Sequence, residues 1–229
     1  MGENVLFGNS AIFRTRGSSM RNLVLAAILA VSVTPASAAV IRNGSFETQT
    51  STQVGGSATL SSGSKAIKFW TVGAGDVDLI SSYWNASAGS NSVDLNGSAA
   101  GSISTNIFGL TLGRIYNVMF DLAGNPDGGT RTKQIQASVT AAGAVRPPKT
   151  FSIVQANNRS AMNWSTMVFR FTASAPTQLL TFRSTSSSAF GAAIDNVRIA
   201  VQPVPLPATA PLALLGLAGL ALLRRRKSA

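Results

Sequence analysis

Between residues 115 and 123 the side chains strictly alternate: Tyr116, Val118, Phe120 and Leu122 are separated by Asn117, Met119 and Asp121. A period of two places the first set on one face of an extended segment and the second on the other, as in a half-buried strand. Ile135, Ala137 and Val139 repeat the pattern against Gln134, Gln136, Ser138 and Thr140. Two more extended segments are expected at 166–173 and 177–183, with Ser174-Ala175-Pro176 as a hairpin connection. Gly73-Ala74-Gly75, Asn96-Gly97, the run from Gly124 to Gly129, and Pro147-Pro148 punctuate the rest. Residues 51–64, rich in Ser, Gly and Thr, read as a long surface loop. No comparably long segment here shows a 3.6-residue period, and no internal repeat is seen. Short strands at this spacing predict an all-β sandwich or jelly roll.

The sequence contains no cysteine and no histidine. Cysteine nucleophiles, Ser-His-Asp triads and the usual zinc ligand sets are therefore excluded. Without disulfides, the domain must be stable through its core, or with help from a bound ion. The formal net charge of +11 divides along the chain. Residues 1–38 carry three arginines against Glu3, residues 39–202 twelve bases against seven acids, and the last residues four bases and no acid. The bases of the middle region are scattered, so the clustered patch that phosphate binding requires is missing and no nucleic-acid partner is expected.

The two ends read as processing segments. Met20-Arg21-Asn22, the apolar run 23–31, Pro35, and the small residues Ala36, Ser37, Ala38 before Ala39 form a secretory signal. Residues 1–38 are assigned to it, with Met20 as an alternative start. At the other end Val204, Pro205, Leu206, Pro207 and Ala208 precede an apolar run closed by Arg224, Arg225, Arg226 and Lys227. A helix of about sixteen residues would reach roughly 24 Å, short of a ~30 Å hydrocarbon core. The basic cluster would stay cytoplasmic, leaving the domain outside. From physics alone a permanent tail anchor is as good a reading.

The order of proline motif, brief apolar helix and arginine cluster in 203–229 resembles the PEP-CTERM signal in its VPLPA variant. The resemblance implies transient membrane insertion and processing by an exosortase. It further implies export by the secretion machinery through the inner membrane of a Gram-negative bacterium, to the cell surface or polysaccharide matrix. Leu206 stands where the better-known motif has glutamate.

In the middle region Asn43-Gly44-Ser45-Phe46-Glu47 opens the domain, and Gly191-Ala192-Ala193-Ile194-Asp195-Asn196-Val197 closes it. First and last strands lying side by side would bring Glu47 near Asp195. Two carboxylates with backbone carbonyls would suit calcium, which takes six to eight oxygens; pairing with turn groups or with Arg42 and Arg198 is the alternative. Phe69-Trp70, the stretch 76–80, Tyr83-Trp84, 92–97, 122–126, and Phe169 with Phe171 follow in order. Together these resemble the choice-of-anchor C family, related to plant cell-wall proteins that share a domain of unknown function. The resemblance covers nearly all of 39–201 and implies a galactose-binding-like jelly roll, the domain assigned to 39–202, associated with cell-wall or matrix polysaccharide. It supplies no catalytic residues.

Trp70, Tyr83, Trp84 and Trp164 are the aromatics able to stack on sugar rings. Trp70 is expected in the core. Tyr83 and Trp84 precede the polar stretch 85–92 and are the candidate ligand-binding pair. Asp76 and Asp78 share a strand face, and with Asp94 they form the carboxylate set a glycan hydrolase would need. Few acids and turn-like settings make that the weakest reading. Asn96-Gly97 is expected to supply the positive φ of a tight turn. The expected function is a non-enzymatic, surface-sorted, carbohydrate-associated protein; a purely structural or adhesive role is the alternative.

Overall fold

The computed structural model describes residues 38–50, 55–141 and 147–203. The cleavage residue Ala36, the sorting residues 204–208 and the basic cluster 224–227 lie outside them. The described residues form twelve strands and no helix: β1 (Val40–Ile41), β2 (Ser57–Ser61), β3 (Thr71–Val72), β4 (Asp76–Ile80), β5 (Ser92–Asp94), β6 (Ser102–Phe108), β7 (Ile115–Gly124), β8 (Thr132–Thr140), β9 (Lys149–Val154), β10 (Ser165–Thr172), β11 (Gln178–Ser184) and β12 (Ala192–Val201). Among the described residues no helix is long and apolar enough to cross a membrane.

One sheet runs β1-β6-β11-β8-β9, with β3 also pairing β6, and the other runs β10-β7-β12-β5-β4-β2. Every pairing is antiparallel. From β6 onward, apart from β8 and β9, which pair within the first sheet, the chain passes back and forth between the sheets, which gives a jelly-roll sandwich. The alternation of β7 sends Tyr116, Val118, Phe120 and Leu122 into the interior as expected. There Phe120 packs against Phe182 at 4.8 Å and Phe151 at 5.1 Å, while Trp70 lies 5.1 Å from Phe46 and 6.4 Å from Phe182. The Trp70 indole donates to the Asn43 carbonyl at 2.9 Å, which satisfies its single polar group in the core.

Four sequence expectations change. β10 and β11 do not form a hairpin: β10 pairs β7 in one sheet, β11 pairs β6 and β8 in the other, and residues 173–177 arch across the sandwich. Phe169 and Phe171 thus face Leu180 and Phe182 within one core. Ser174 N–H donating to Gln178 Oε1 at 2.9 Å and Leu110 N–H donating to the Pro176 carbonyl at 3.0 Å close the arch. Within 51–64, residues 57–61 form the edge strand β2 on β4. Asn96 and Gly97 have no positive φ; Asn96 is instead fully buried. Finally β1 pairs β6 and not β12, and the domain's opening is bonded to β12 by Val197 N–H donating to the Gly44 carbonyl at 2.8 Å. The approach is so close that a Cβ on Gly44 would strike the Val197 carbonyl oxygen.

Candidate functional site

The outer face of the second sheet is not open. Its small residues Ala123 and Ala193, directly opposite each other on β7 and β12, make a floor on which Ile80, Trp84 and Met162 form a second apolar cluster. Residues 81–91 lie over this face as a strap. Trp84 is its nail: only 4% exposed, with its indole N–H donating to Ser92 Oγ at 2.9 Å. Of the predicted aromatic pair, therefore, Trp84 is an internal anchor and Tyr83 alone, 37% exposed, faces solvent. Trp164 is part-buried against the same cluster and donates to the Asn85 carbonyl at 3.0 Å.

Glu47 and Asp195 hold the strap from two sides. Glu47 Oε1 accepts from the N–H groups of Ser90 at 2.9 Å and Asn91 at 2.7 Å, and Oε2 accepts from Asn91 Nδ2 at 2.7 Å. Asp195 Oδ2 accepts from the N–H groups of Ser87 at 2.7 Å and Ala88 at 2.8 Å. Gly89, at φ 71°, lets the backbone turn between these grips. A bulge after Asp195, with Asn196 at φ 50°, turns Val197 inward to the core. The two predicted acids thus act on one structure, but their oxygens point at N–H donors, which a cation would have to displace. Among the described residues no group of three or more Asp or Glu side chains is placed to hold a metal. The calcium expectation does not fit this donor set: adding calcium or a chelator should move the melting temperature by less than about 1 °C in a thermal-melt titration.

Asp195 sits directly across from Asp121. Burial first, with the Asp121 charge and against the bonds from Ala88, Asn196 and Ser87, pushes the Asp195 carboxyl up to about 7. Burial also works upward on Asp121, yet bonds from Ser87, Thr166 and Asn196 and the charge of Arg198 hold it below the usual range. The hydrolase candidates divide similarly. Asp76 is held low by the Ser98 hydroxyl at 2.6 Å. Asp78 is raised by burial and lies opposite Asp94. Asp94 is fully buried and raised to about 7 by that burial, while accepting from Asn125 Nδ2 at 2.7 Å and Asn96 N–H at 3.0 Å. A carboxyl sealed in this way has no access to a glycosidic bond.

The exposed constellation lies beside the strap, where loops gather. Arg159 Cζ lies 4.0 Å from the Tyr83 ring centre, and its guanidinium also donates to the Tyr83 hydroxyl and, at 2.8 Å, to Asp127. Beyond Asp127, the ring of Phe190, 39% exposed, covers Gly128. The buried Lys133 ammonium fixes this side by donating to the Gly128 carbonyl and, at 2.8 Å, to that of Phe190. The result is a strip of two exposed aromatics flanking an ion pair. Sequence reading named Tyr83 but not Arg159, Phe190 or Lys133, and took Asp127 only as a turn residue.

A family model described as a protein of unknown function, DUF642, matches residues 39–200. The chain belongs to the DUF642 family. A PEP-CTERM protein-sorting motif matches residues 203–227 of this DUF642 protein, on the tail singled out above, and marks it for export and surface sorting in bacteria. Halomucin from Haloquadratum walsbyi is 33% identical over 176 residues, which is 75% of this chain and 2% of halomucin. The chain thus spans a small fraction of that relative's length. Among solved structures, TmCBM61 in complex with β-1,4-galactotriose aligns at TM-score 0.43 and 18% identity, covering 71% of this chain and 97% of that one. A family 35 carbohydrate-binding module from Clostridium thermocellum aligns at TM-score 0.41 and 12% identity, covering 62% and 97%.

Proposed function

We propose that this DUF642 protein is a non-enzymatic, surface-sorted module that binds extracellular polysaccharide through the strip Tyr83, Arg159, Asp127 and Phe190. The observation that carries the reading is the fixed Tyr83–Arg159–Asp127 unit on an exposed loop surface. Sugars present apolar C–H faces and hydroxyls together, and aromatic rings beside charged hydrogen-bonding groups complement both. Because the ring, the guanidinium and the carboxylate already restrain one another, little freedom remains to be lost on binding. The sealed Asp94 agrees with an absence of hydrolysis. The choice-of-anchor C grouping, the VPLPA variant of the signal, an exosortase as the processing partner and a Gram-negative envelope are the finer assignments that accompany this reading. Residues 1–38 serve in it as the signal peptide, with cleavage between Ala38 and Ala39.

The test is a polysaccharide and glycan-array screen of the full-length protein in mild detergent. Tyr83→Ala and Arg159→Ala should each weaken binding about tenfold or more with an unchanged melting temperature. A folded protein that binds no glycan would replace this reading with a purely structural or adhesive surface protein.

A further inference from the structure

We propose a second glycan subsite, for uronate-bearing polysaccharide, at the edge of the first sheet where Arg42 lies between Phe69 and Phe108. It rests on the polysaccharide reading but not on the Tyr83 strip. The charge of the sandwich is divided between its sheets. Asp76, Asp78, Asp94, Asp121 and Asp195 all belong to strands of the second sheet, whereas the six strands of the first contain no acid at all. An anionic polymer approaching the first sheet therefore meets hydroxyls, amides and bases without carboxylate repulsion from its strands.

At one edge of that sheet β1 and β3 both pair with β6, β1 at Ile107 and Phe108 and β3 at Ile103 and Ser104. The gap between them falls at Thr105 and Asn106, and Phe69 is fastened there by the Thr105 hydroxyl, which donates to its carbonyl at 2.7 Å. Its neighbours leave it no other place. Trp70 enters the core, and Lys68 is tied on both sides, its N–H donating to the Thr48 carbonyl at 2.9 Å and its carbonyl accepting from Asn43 Nδ2 at 3.0 Å. Phe69 is left at φ 71°, with 54% of its surface exposed. A bulky aromatic in the left-handed region is an outlier that persists only where its surroundings impose it, and such positions gather at binding sites.

Arg42 completes the arrangement. Its Cζ is 5.3 Å from the Phe69 ring centre and 5.1 Å from that of Phe108. Among the described residues it enters neither an ion pair nor a side-chain hydrogen bond. A guanidinium held by two rings with its donors free presents a planar fork matched to a carboxylate. Lys68 is exposed on the turn that carries Phe69, and Lys65 is exposed three residues before Lys68. A sugar ring against Phe69 with its C6 carboxylate on Arg42 uses both features; a neutral sugar uses only one.

The experiment measures binding of the full-length protein, in mild detergent, to alginate, to carboxyl-reduced alginate and to dextran sulfate. The variants are Arg42→Gln, Arg42→Lys, Phe69→Ala, Lys149→Gln and Tyr83→Ala. Alginate should bind at least about tenfold more tightly than its carboxyl-reduced form, and Arg42→Gln should remove that difference. Arg42→Lys should recover only part of it, Phe69→Ala should weaken both polymers, and Lys149→Gln should stay within about twofold. Loss of neutral-glycan binding on Tyr83→Ala with alginate binding intact supports two separate sites; retained neutral-glycan binding would sink the strip without touching this proposal. Wild-type alginate binding by Arg42→Gln overturns it. So does an equal loss on Lys149→Gln, which means diffuse attraction, or an equal Arg42-dependent affinity for dextran sulfate, which means any anion serves.

Discussion

Trp70→Ala should lower the unfolding free energy by about 3–5 kcal/mol, while Phe69→Ala, one residue earlier, should change it by less than about 1 kcal/mol. Trp70 is 1% exposed, packed against Phe46 and Phe182, and hydrogen bonded to Asn43 through its indole. Its removal loses the transfer energy of the largest core side chain, leaves a cavity between the sheets, and strips the Asn43 carbonyl of its indole donor. Phe69 projects outward, so its truncation removes mainly its contact with Arg42. For a domain of this size the first change corresponds to a fall in melting temperature on the order of 10 °C. Thermal melts followed by near-ultraviolet circular dichroism read both. Similar losses for the two variants would mean that the Phe69–Trp70 turn is placed the other way round, and the Arg42 subsite would fall with it.

That adjacent pair shows what the sequence could and could not disclose. Strands such as β7 were legible because alternation is a property of the residues themselves, and Phe120 lies in the core whatever its neighbours. Sheet membership was not. A strand followed by Ser-Ala-Pro and a second alternating segment has the same pattern whether it folds back on its own sheet or arches to the facing one. β2 escaped because only Ala58 and Leu60 mark its inward side amid Ser, Thr and Gly. The strap hid for another reason: the outer face of the second sheet looks polar from Asp121 and Asp195, yet Ala123 and Ala193 form an apolar floor that only pairing reveals. Glu47 and Asp195 both reach the strap, from different sides, but spacing cannot tell whether a carboxylate will meet N–H groups or a cation. Arg159 and Phe190 reach Tyr83 and Asp127 from distant loops, and no local pattern announces that meeting.

The buried aspartates make the second large effect one of pH. Asp94 and Asp195 are both fully buried with carboxyls raised to about 7, against a usual value near 3.8. A raised carboxyl binds its proton more tightly in the folded protein, so the stabilisation is complete below the unfolded value and is lost as pH rises through about 7. Each group can contribute a slope of up to about 1.4 kcal/mol per pH unit in that window, and the pair on the order of several kcal/mol across it. Asp76 and Asp121, both lowered, act oppositely but only at more acid pH, where their stabilisation is lost as they protonate. The surroundings of Asp94 are ready for a neutral acid. Asn96 Oδ1 is buried without a donor, and it shares with Asp94 Oδ1 the space that a Cβ on Gly191 would enter. The Asn96 amide nitrogen is fixed by the Ser186 carbonyl at 3.1 Å and that of Ser188 at 2.5 Å, which keeps the oxygen turned toward the acid. A proton on Asp94 directed at that oxygen would supply the donor it lacks. Denaturant unfolding from pH 5 to pH 8 should therefore show stability falling as pH rises, and Asp94→Asn should remove a substantial part of the slope whatever it does to stability at pH 5, the remainder coming from Asp195 and the likewise raised Asp78. A flat or rising profile would mean that both carboxylates are ionised in the folded protein, and the account of Asn96 would be wrong with them.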